Sequence, residues 1–256
     1  MSRRIAVLVF PGTNSEEETV RLLRDCGGDA HLVHWSGAAL LPSFDAYVLP
    51  GGFAYEDRIR AGAIAAHDEM MDHVIAGAEL GKLVLGVCNG AQILLEAGLV
   101  PGTGPVRHPT AAFTRNGPVA HFVCTHVHVK LSVKPGRSPI TAALAPEAVI
   151  PAWAANAEGR LAAQENHLAE LRNGDHIAFV YAHEKGNVDP TATPNQSALG
   201  VAGLVNRSGN VLALMPHPER DAWTFNHPDK RRGDDMLAPS GGAALFRSFV
   251  AGVQRS

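Results

Sequence analysis

The sequence predicts an α/β fold: a mostly parallel sheet with helices on both faces and an antiparallel extension. Short, unbroken apolar runs alternate with longer helical patterns through the first hundred residues. An apolar run with no polar alternation is a strand covered on both faces, the condition of a parallel sheet. In the second half the pattern changes to alternating, β-branched segments, the mark of antiparallel pairing.

The elements follow in order. Residues 5–10 read as a first buried strand, stopped at Pro11-Gly12. Residues 14–26 read as a helix, with Asn14 or Ser15 available as cap, Glu16, Glu17 and Glu18 at its positive end, and Gly27-Gly28 as its stop. Strands follow at 31–35 and 46–49, the latter ending abruptly at Pro50-Gly51-Gly52. Apolar residues at Ile59, Ala63, Ala66, Met70, Val74 and Ala78 predict one long helix over residues 56–80. A buried strand at 83–86 and a helix at 91–97 complete the first half. In the second, residues 122–133, 177–181, 198–205 and 211–215 read as strands, and Asn206-Arg-Ser-Gly209-Asn210 as a hairpin turn. Residues 186–196 read as a surface loop and 241–253 as a closing helix. No composition break marks a linker, so residues 1–256 are expected to form a single domain.

Composition narrows the function. With 22 Lys+Arg against 25 Asp+Glu, the formal charge is −3, and no basic face is available to wrap nucleic acid. At 46% hydrophobic and 18% charged residues the chain is globular rather than disordered. The cysteines, Cys26, Cys88 and Cys124, are odd in number, which argues against a disulfide framework and for a reducing compartment. The leading apolar run is too short for a secretory or spanning segment, so a soluble, cytoplasmic protein is expected.

The chemistry concentrates at three strand ends. In Leu83-Val-Leu-Gly86-Val-Cys88-Asn-Gly90-Ala-Gln92 an apolar strand runs through Gly-x-Cys-x-Gly straight into a helix. Glycines on either side of a cysteine permit a turn that lifts the sulfur clear of the sheet and sets it at a helix N-terminus, where the thiolate is favoured. A buried cysteine more often acts as a small hydrophobe; the strand–turn–helix setting makes Cys88 a nucleophile. A thiol nucleophile needs a base and a partner that orients it. Val211-Leu-Ala-Leu-Met-Pro-His217-Pro-Glu219 delivers His217 at another strand end with Glu219 two residues on. Gly52, after the strand at 46–49, and the backbone of Asn89 are candidate oxyanion donors; the plainer reading of a glycine pair there is an ordinary turn.

These residues resemble the class I, triad-type glutamine amidotransferases, whose elbow Gly-x-Cys-x-Gly-x-Gln is filled by Gly86, Cys88, Gly90 and Gln92. Phe10-Pro-Gly-Thr-Asn14, Pro50-Gly-Gly-Phe-Ala-Tyr-Glu-Asp57, Arg60-Ala-Gly-Ala-Ile-Ala-Ala66 and Met215-Pro-His-Pro-Glu-Arg220 narrow the resemblance, over nearly the whole chain, to one family, the glutaminase subunits of phosphoribosylformylglycinamidine synthase. The resemblance implies a flavodoxin-like class I glutamine amidotransferase fold. It implies that Cys88 attacks the side-chain amide of L-glutamine, with His217 as base and acid, Glu219 orienting it, Gly52 and Asn89 binding the oxyanion and Gln92 helping to hold the substrate. It further implies that ammonia passes to a large synthetase subunit, that a small third subunit joins them, and that ATP and magnesium belong to the synthetase. No cofactor is expected in this subunit: Gly241-Gly242 lacks the Lys-Ser/Thr of a nucleotide loop. The chain departs from the family pattern at Asn156, where a histidine is usual, at Val180-Tyr181 in place of Arg-Tyr, and at Tyr55-Glu-Asp in place of Tyr-Gly-Asp.

Two other readings stand beside it. Cysteine peptidases and deglycases on the same sheet place a histidine directly after the elbow cysteine, where this chain has Asn89. A non-catalytic scaffold subunit would keep the fold without the chemistry. Cys124, His126 and His128 alternate, so a strand places them on one face as a metal site could; half-buried sheet residues do so more often, no fourth ligand is apparent, and no metal is assigned. His227-Pro-Asp229 and Lys230-Arg-Arg232 read as solvated surface or a partner contact.

Overall fold

An apolar run without alternation must be covered on both faces, and β1 (Arg4–Val9) is buried along nearly its whole length between β2 (Asp29–His34) and β3 (Ala46–Leu49), parallel to both. The computed structural model describes residues 3–117 and 121–256. β4 (Leu83–Val87) adds parallel to β3, and β11 (Val211–Leu214) parallel to β4, so five strands run the same way and end at one edge. From β11 the sheet continues antiparallel through β10 (Val201–Val205), β9 (Ile177–Ala182), β6 (Val123–Leu131) and β7 (Val149–Asn156). The order across the nine strands is β2-β1-β3-β4-β11-β10-β9-β6-β7. A separate antiparallel pair joins β5 (Ala111–Thr114) to β8 (Arg160–Ala163).

Helices cover the parallel half. α2 (Glu69–Glu79) and α3 (Asn89–Glu96) share a face: Gly77 of α2 meets the Tyr47 ring and Gly90 of α3 meets Leu49, two residues apart on β3. α1 (Glu16–Asp25) packs on β1, β2 and on α5 (Ala243–Arg255) in the other layer. α4 (Glu165–Asn173) precedes β9. Among the described residues no helix is long and apolar enough to cross a membrane.

The expected helix over residues 56–80 is the main correction. Only Glu69–Glu79 is α-helical, capped by the Asp68 carboxylate, which accepts from Met70 N at 2.8 Å. Before it, Tyr55, Glu56, Asp57 and Ile59 all have positive φ, and the backbone turns at Gly62 against α3. Ile59, read as a core position, is 86% exposed. The helical spacing was real from Met70 onward; upstream of Asp68, tertiary contacts override it. The strand expected from residue 198 starts at Val201, after a short turn in which Leu199 has φ 59°. Ser15 makes no capping bond; its hydroxyl instead accepts from Arg220 at 2.9 Å.

Candidate active site

Cys88 occupies the turn between β4 and α3 with φ 50° and ψ −107°, a conformation in which side chains are rarely held. Its backbone N–H is anchored on Leu214 O at 2.8 Å, and the next residue already begins α3, so the positive end of that helix lies at the sulfur. Gly90 makes this possible: a Cβ there would come within 2.0 Å of Leu49 O. The sulfur approaches the Ala155 carbonyl of β7 at 3.9 Å.

β11 lies beside β4 with Leu214 opposite Val87, so a residue three positions past its end emerges next to Cys88. That residue is His217. Its backbone is gripped from the other side by β7, where His217 N donates to Trp153 O at 2.8 Å and Trp153 N to His217 O at 3.1 Å. The ring Nδ1 sits 2.5 Å from Glu219 Oε1, and the ring also hydrogen-bonds the Cys88 sulfur. His217 and Glu219 are 2% and 1% exposed. Burial works against a charged ring here, but the Glu219 carboxylate and the Cys88 sulfur outweigh it and push the imidazolium up to about 10. A cationic ring beside a thiol is the arrangement that favours the nucleophilic thiolate.

Two backbone donors face the same space. Gly52 (φ 155°) follows β3, and a Cβ on it would meet Thr13 Cα at 2.6 Å, so only glycine fits. The loop is pinned by Phe53 N donating to Gly12 O at 2.9 Å and Asn14 N to Gly51 O at 3.1 Å. The N–H groups of Gly52 and Asn89 have no acceptor among the described residues and remain free for a ligand. A cavity of about 350 Å³ opens over the sulfur, with Gly52, His217, Gln92, Asp57, Glu158 and Phe122 in its wall. Its size suits an amino-acid side chain and its α-carbon groups.

The structure thus brings Cys88, His217, Glu219, Gly52, Asn89 and Gln92 together. Gln92 lines the cavity, yet its amide is largely engaged: Nε2 donates to Glu158 O at 2.7 Å and Oε1 accepts from Asn89 Nδ2 at 3.0 Å. Asn89 also donates to Asp57 Oδ1 at 3.1 Å and accepts from Ala54 N at 3.0 Å, tying the 53–57 loop to the elbow. Asn156, at the position of the family histidine, is buried and accepts from Asn116 Nδ2 at Oδ1 (3.2 Å).

Asp57 and Glu158 escaped the sequence reading as site residues. Asp57 is raised to about 6, by burial first and then by the neighbouring Glu158 charge, against the lowering effect of the Asn89 bond. Its only local signal was membership of the Tyr55-Glu-Asp57 run, since the loop that carries it into the cavity was read as helix.

Comparison with known proteins gives a consistent result. The sequence profile of the CobB/CobQ-like glutamine amidotransferase domain matches residues 2–251. The phosphoribosylformylglycinamidine synthase subunit PurQ of Pyrococcus furiosus is 40% identical over 251 residues, 98% of this chain and 99% of the relative. Its counterpart from Pyrococcus horikoshii is 36% identical over 252 residues, 98% and 99% of the two chains. A chain in the structure of PurLQS from Thermotoga maritima superposes with TM-score 0.74 at 28% identity, covering 97% of this chain and 98% of that one. The glutaminase domain of Trypanosoma brucei CTPS with bound acivicin, at TM-score 0.58 and 16% identity over 100% and 95% of the chains, shares the fold.

Proposed function

The chain belongs to the CobB/CobQ-like glutamine amidotransferase family, and on that premise we propose that it is the glutaminase subunit of a phosphoribosylformylglycinamidine synthase. It hydrolyses L-glutamine to glutamate and ammonia. The ammonia passes to a synthetase subunit that uses ATP and magnesium to convert formylglycinamide ribonucleotide to formylglycinamidine ribonucleotide in purine synthesis, with a small third subunit completing the complex. The observation that carries the reading is the buried Cys88–His217–Glu219 relay under a cavity with two free backbone donors.

The chemistry follows from this geometry. The Cys88 thiolate attacks the side-chain amide carbon, and the oxygen gathers negative charge between the N–H groups of Gly52 and Asn89. His217, held cationic by Glu219, gives its proton to the departing nitrogen, and ammonia leaves a Cys88 thioester. The now neutral ring takes a proton from water, which attacks the thioester; glutamate departs and the thiolate–imidazolium pair is restored. Glu219 fixes the ring through Nδ1, so the other nitrogen serves the sulfur. Asp57 and Glu158 form an acidic wall that receives the α-ammonium of glutamine, and Gln92 holds that wall in place through the Glu158 carbonyl.

The test is co-purification with the synthetase and third subunits, followed by a glutamine-dependent amidation assay. Activity with glutamine that disappears in Cys88→Ala, while activity with added ammonium persists, supports the reading. No glutamine-dependent amidation, and no labelling of Cys88 by a glutamine-mimicking electrophile in the assembled complex, would instead mark a scaffold subunit.

A further inference from the structure

Outside the catalytic relay, three side chains of metal-binding type converge beside Trp153 of β7 from no shared sequence motif. They are His126 of β6, Asp221 just past Glu219, and His227. One ligand atom from each lies within 4.8 Å of the other two. We propose that these residues form a binding site for a divalent first-row transition ion of the zinc class.

The donor set supports this identity. Two imidazoles and one carboxylate suit zinc, cobalt or nickel better than calcium or magnesium, which take oxygen ligands. The Asp221 carboxylate is fully buried, with Oδ2 at 2.5 Å from His126 Nε2 and Oδ1 accepting from Ser240 Oγ at 2.7 Å. A ligand carboxylate oriented by a second hydrogen bond is the usual support of a metal centre. His126 is packed edge-on against Trp153 and His227, at ring separations of 5.3 and 5.5 Å, which sets both imidazoles toward one point. Asp229 N donates to His227 Nδ1 at 3.1 Å, and an ion at Nε2 would require the ring proton on Nδ1 and so release this bond. The two histidines are only half-buried, so the fourth position is open to water.

The position gives the ion something to do. Asp221 closes the same short turn, Pro218–Asp221, that presents Glu219 to His217. His227 lies in the excursion that leaves at Trp223 and returns at Pro239. An ion joining the three would clamp that excursion and the Glu219 turn to β6, stiffening the support of the relay from outside the cavity.

Cobalt(II) titration of the full chain is the test, on a Cys88→Ala background so that the catalytic thiol cannot supply a site. One equivalent is expected to bind with a visible spectrum of nitrogen and oxygen donors, to be displaced by zinc, and to weaken at least tenfold in His126→Ala and in His227→Ala. His227 lies on a half-exposed turn, so its removal leaves the fold intact, as circular dichroism will verify. Absence of saturable binding, affinity unchanged in His227→Ala, or a sulfur-to-cobalt charge-transfer band pointing to Cys124 would each overturn the site.

Discussion

Trp153 and His217 exchange two backbone hydrogen bonds, at N···O separations of 3.1 and 2.8 Å, although their strands lie four places apart across the sheet. The antiparallel extension therefore curls back over the ends of the parallel strands, and its edge strand β7 holds the histidine in place. Replacing Trp153 by proline removes one of the two donors and disfavours helical and turn alternatives at residue 152. Trp153→Pro is expected to lower the glutaminase rate by about tenfold or more through loss of ring placement. Trp153→Phe keeps both backbone bonds and should retain most of the rate. Equal loss in the two variants would show that the indole, not the backbone bridge, is what matters.

Cys88→Ser keeps size and hydrogen bonding but substitutes a far weaker nucleophile. Glutamine hydrolysis should fall by roughly 10³-fold or more, the scale seen when a nucleophile is removed. Ammonium-supported amidation by the complex should survive. Steady-state assays with the two nitrogen sources separate the effects.

Glu219→Gln removes the carboxylate that holds the imidazolium of His217 near 10. A raised histidine pKa keeps the proton available for the leaving ammonia until pH passes that value, so the alkaline limb of the rate profile should lie near pH 10. Without the carboxylate the cation is less stable, and the limb should move to lower pH. The rate at neutral pH should drop by about 10² or more, as for loss of an orienting carboxylate. An unchanged alkaline limb in Glu219→Gln would exclude the coupling.

Asp57 and Glu158 are assigned to the α-ammonium of glutamine, so Asp57→Asn and Glu158→Gln should raise KM for glutamine by about tenfold, the scale of a charged hydrogen bond, with smaller effects on kcat. Because burial and Glu158 raise Asp57 to about 6, its charge is complete only above that pH. Wild-type KM should accordingly climb as pH falls through 6, and Asp57→Asn should flatten that climb. A fall in kcat with KM unchanged would place Asp57 elsewhere in the cycle.

Gly90→Ala adds a methyl group within 2.0 Å of the Leu49 carbonyl, which is backbone and cannot step aside. Destabilisation of about 3 kcal/mol or more is expected, at the upper end of overpacking effects, visible as a lowered melting temperature. Gly136→Ala, whose added Cβ meets nothing within 4 Å, should cost less despite its φ of 80°.

The strands of the parallel half were legible in the sequence, the second with bounds shifted from 31–35 to Asp29–His34. β1 after Arg4, β3, β4 and β11 are unbroken apolar runs, and at four to six residues they are too short for a buried helix. The elbow at Cys88 and the His217–Glu219 pair were legible too, because their geometry is set by neighbours in sequence: a strand, a tight turn, a helix. β7 was not. Pro151 and three alanines give it a weak strand signal, and an edge strand tolerates a proline that a central one could not. Helical spacing also runs through residues 56–67, but Asp68 caps a shorter helix and Asn89 draws the 54–57 loop over the cavity.

The sequence by itself determined the fold class and marked Cys88, His217 and Glu219 as candidates at two strand ends, since each depends on short-range pattern and backbone sterics. Only the tertiary structure decided how the site is enclosed. It brought Asp57 and Glu158 to the cavity wall, set β7 against His217, and gathered His126, Asp221 and His227 across a hundred residues. Those meetings depend on where the curled sheet and the loops close in space. No local periodicity encodes that closure; packing of the whole chain does.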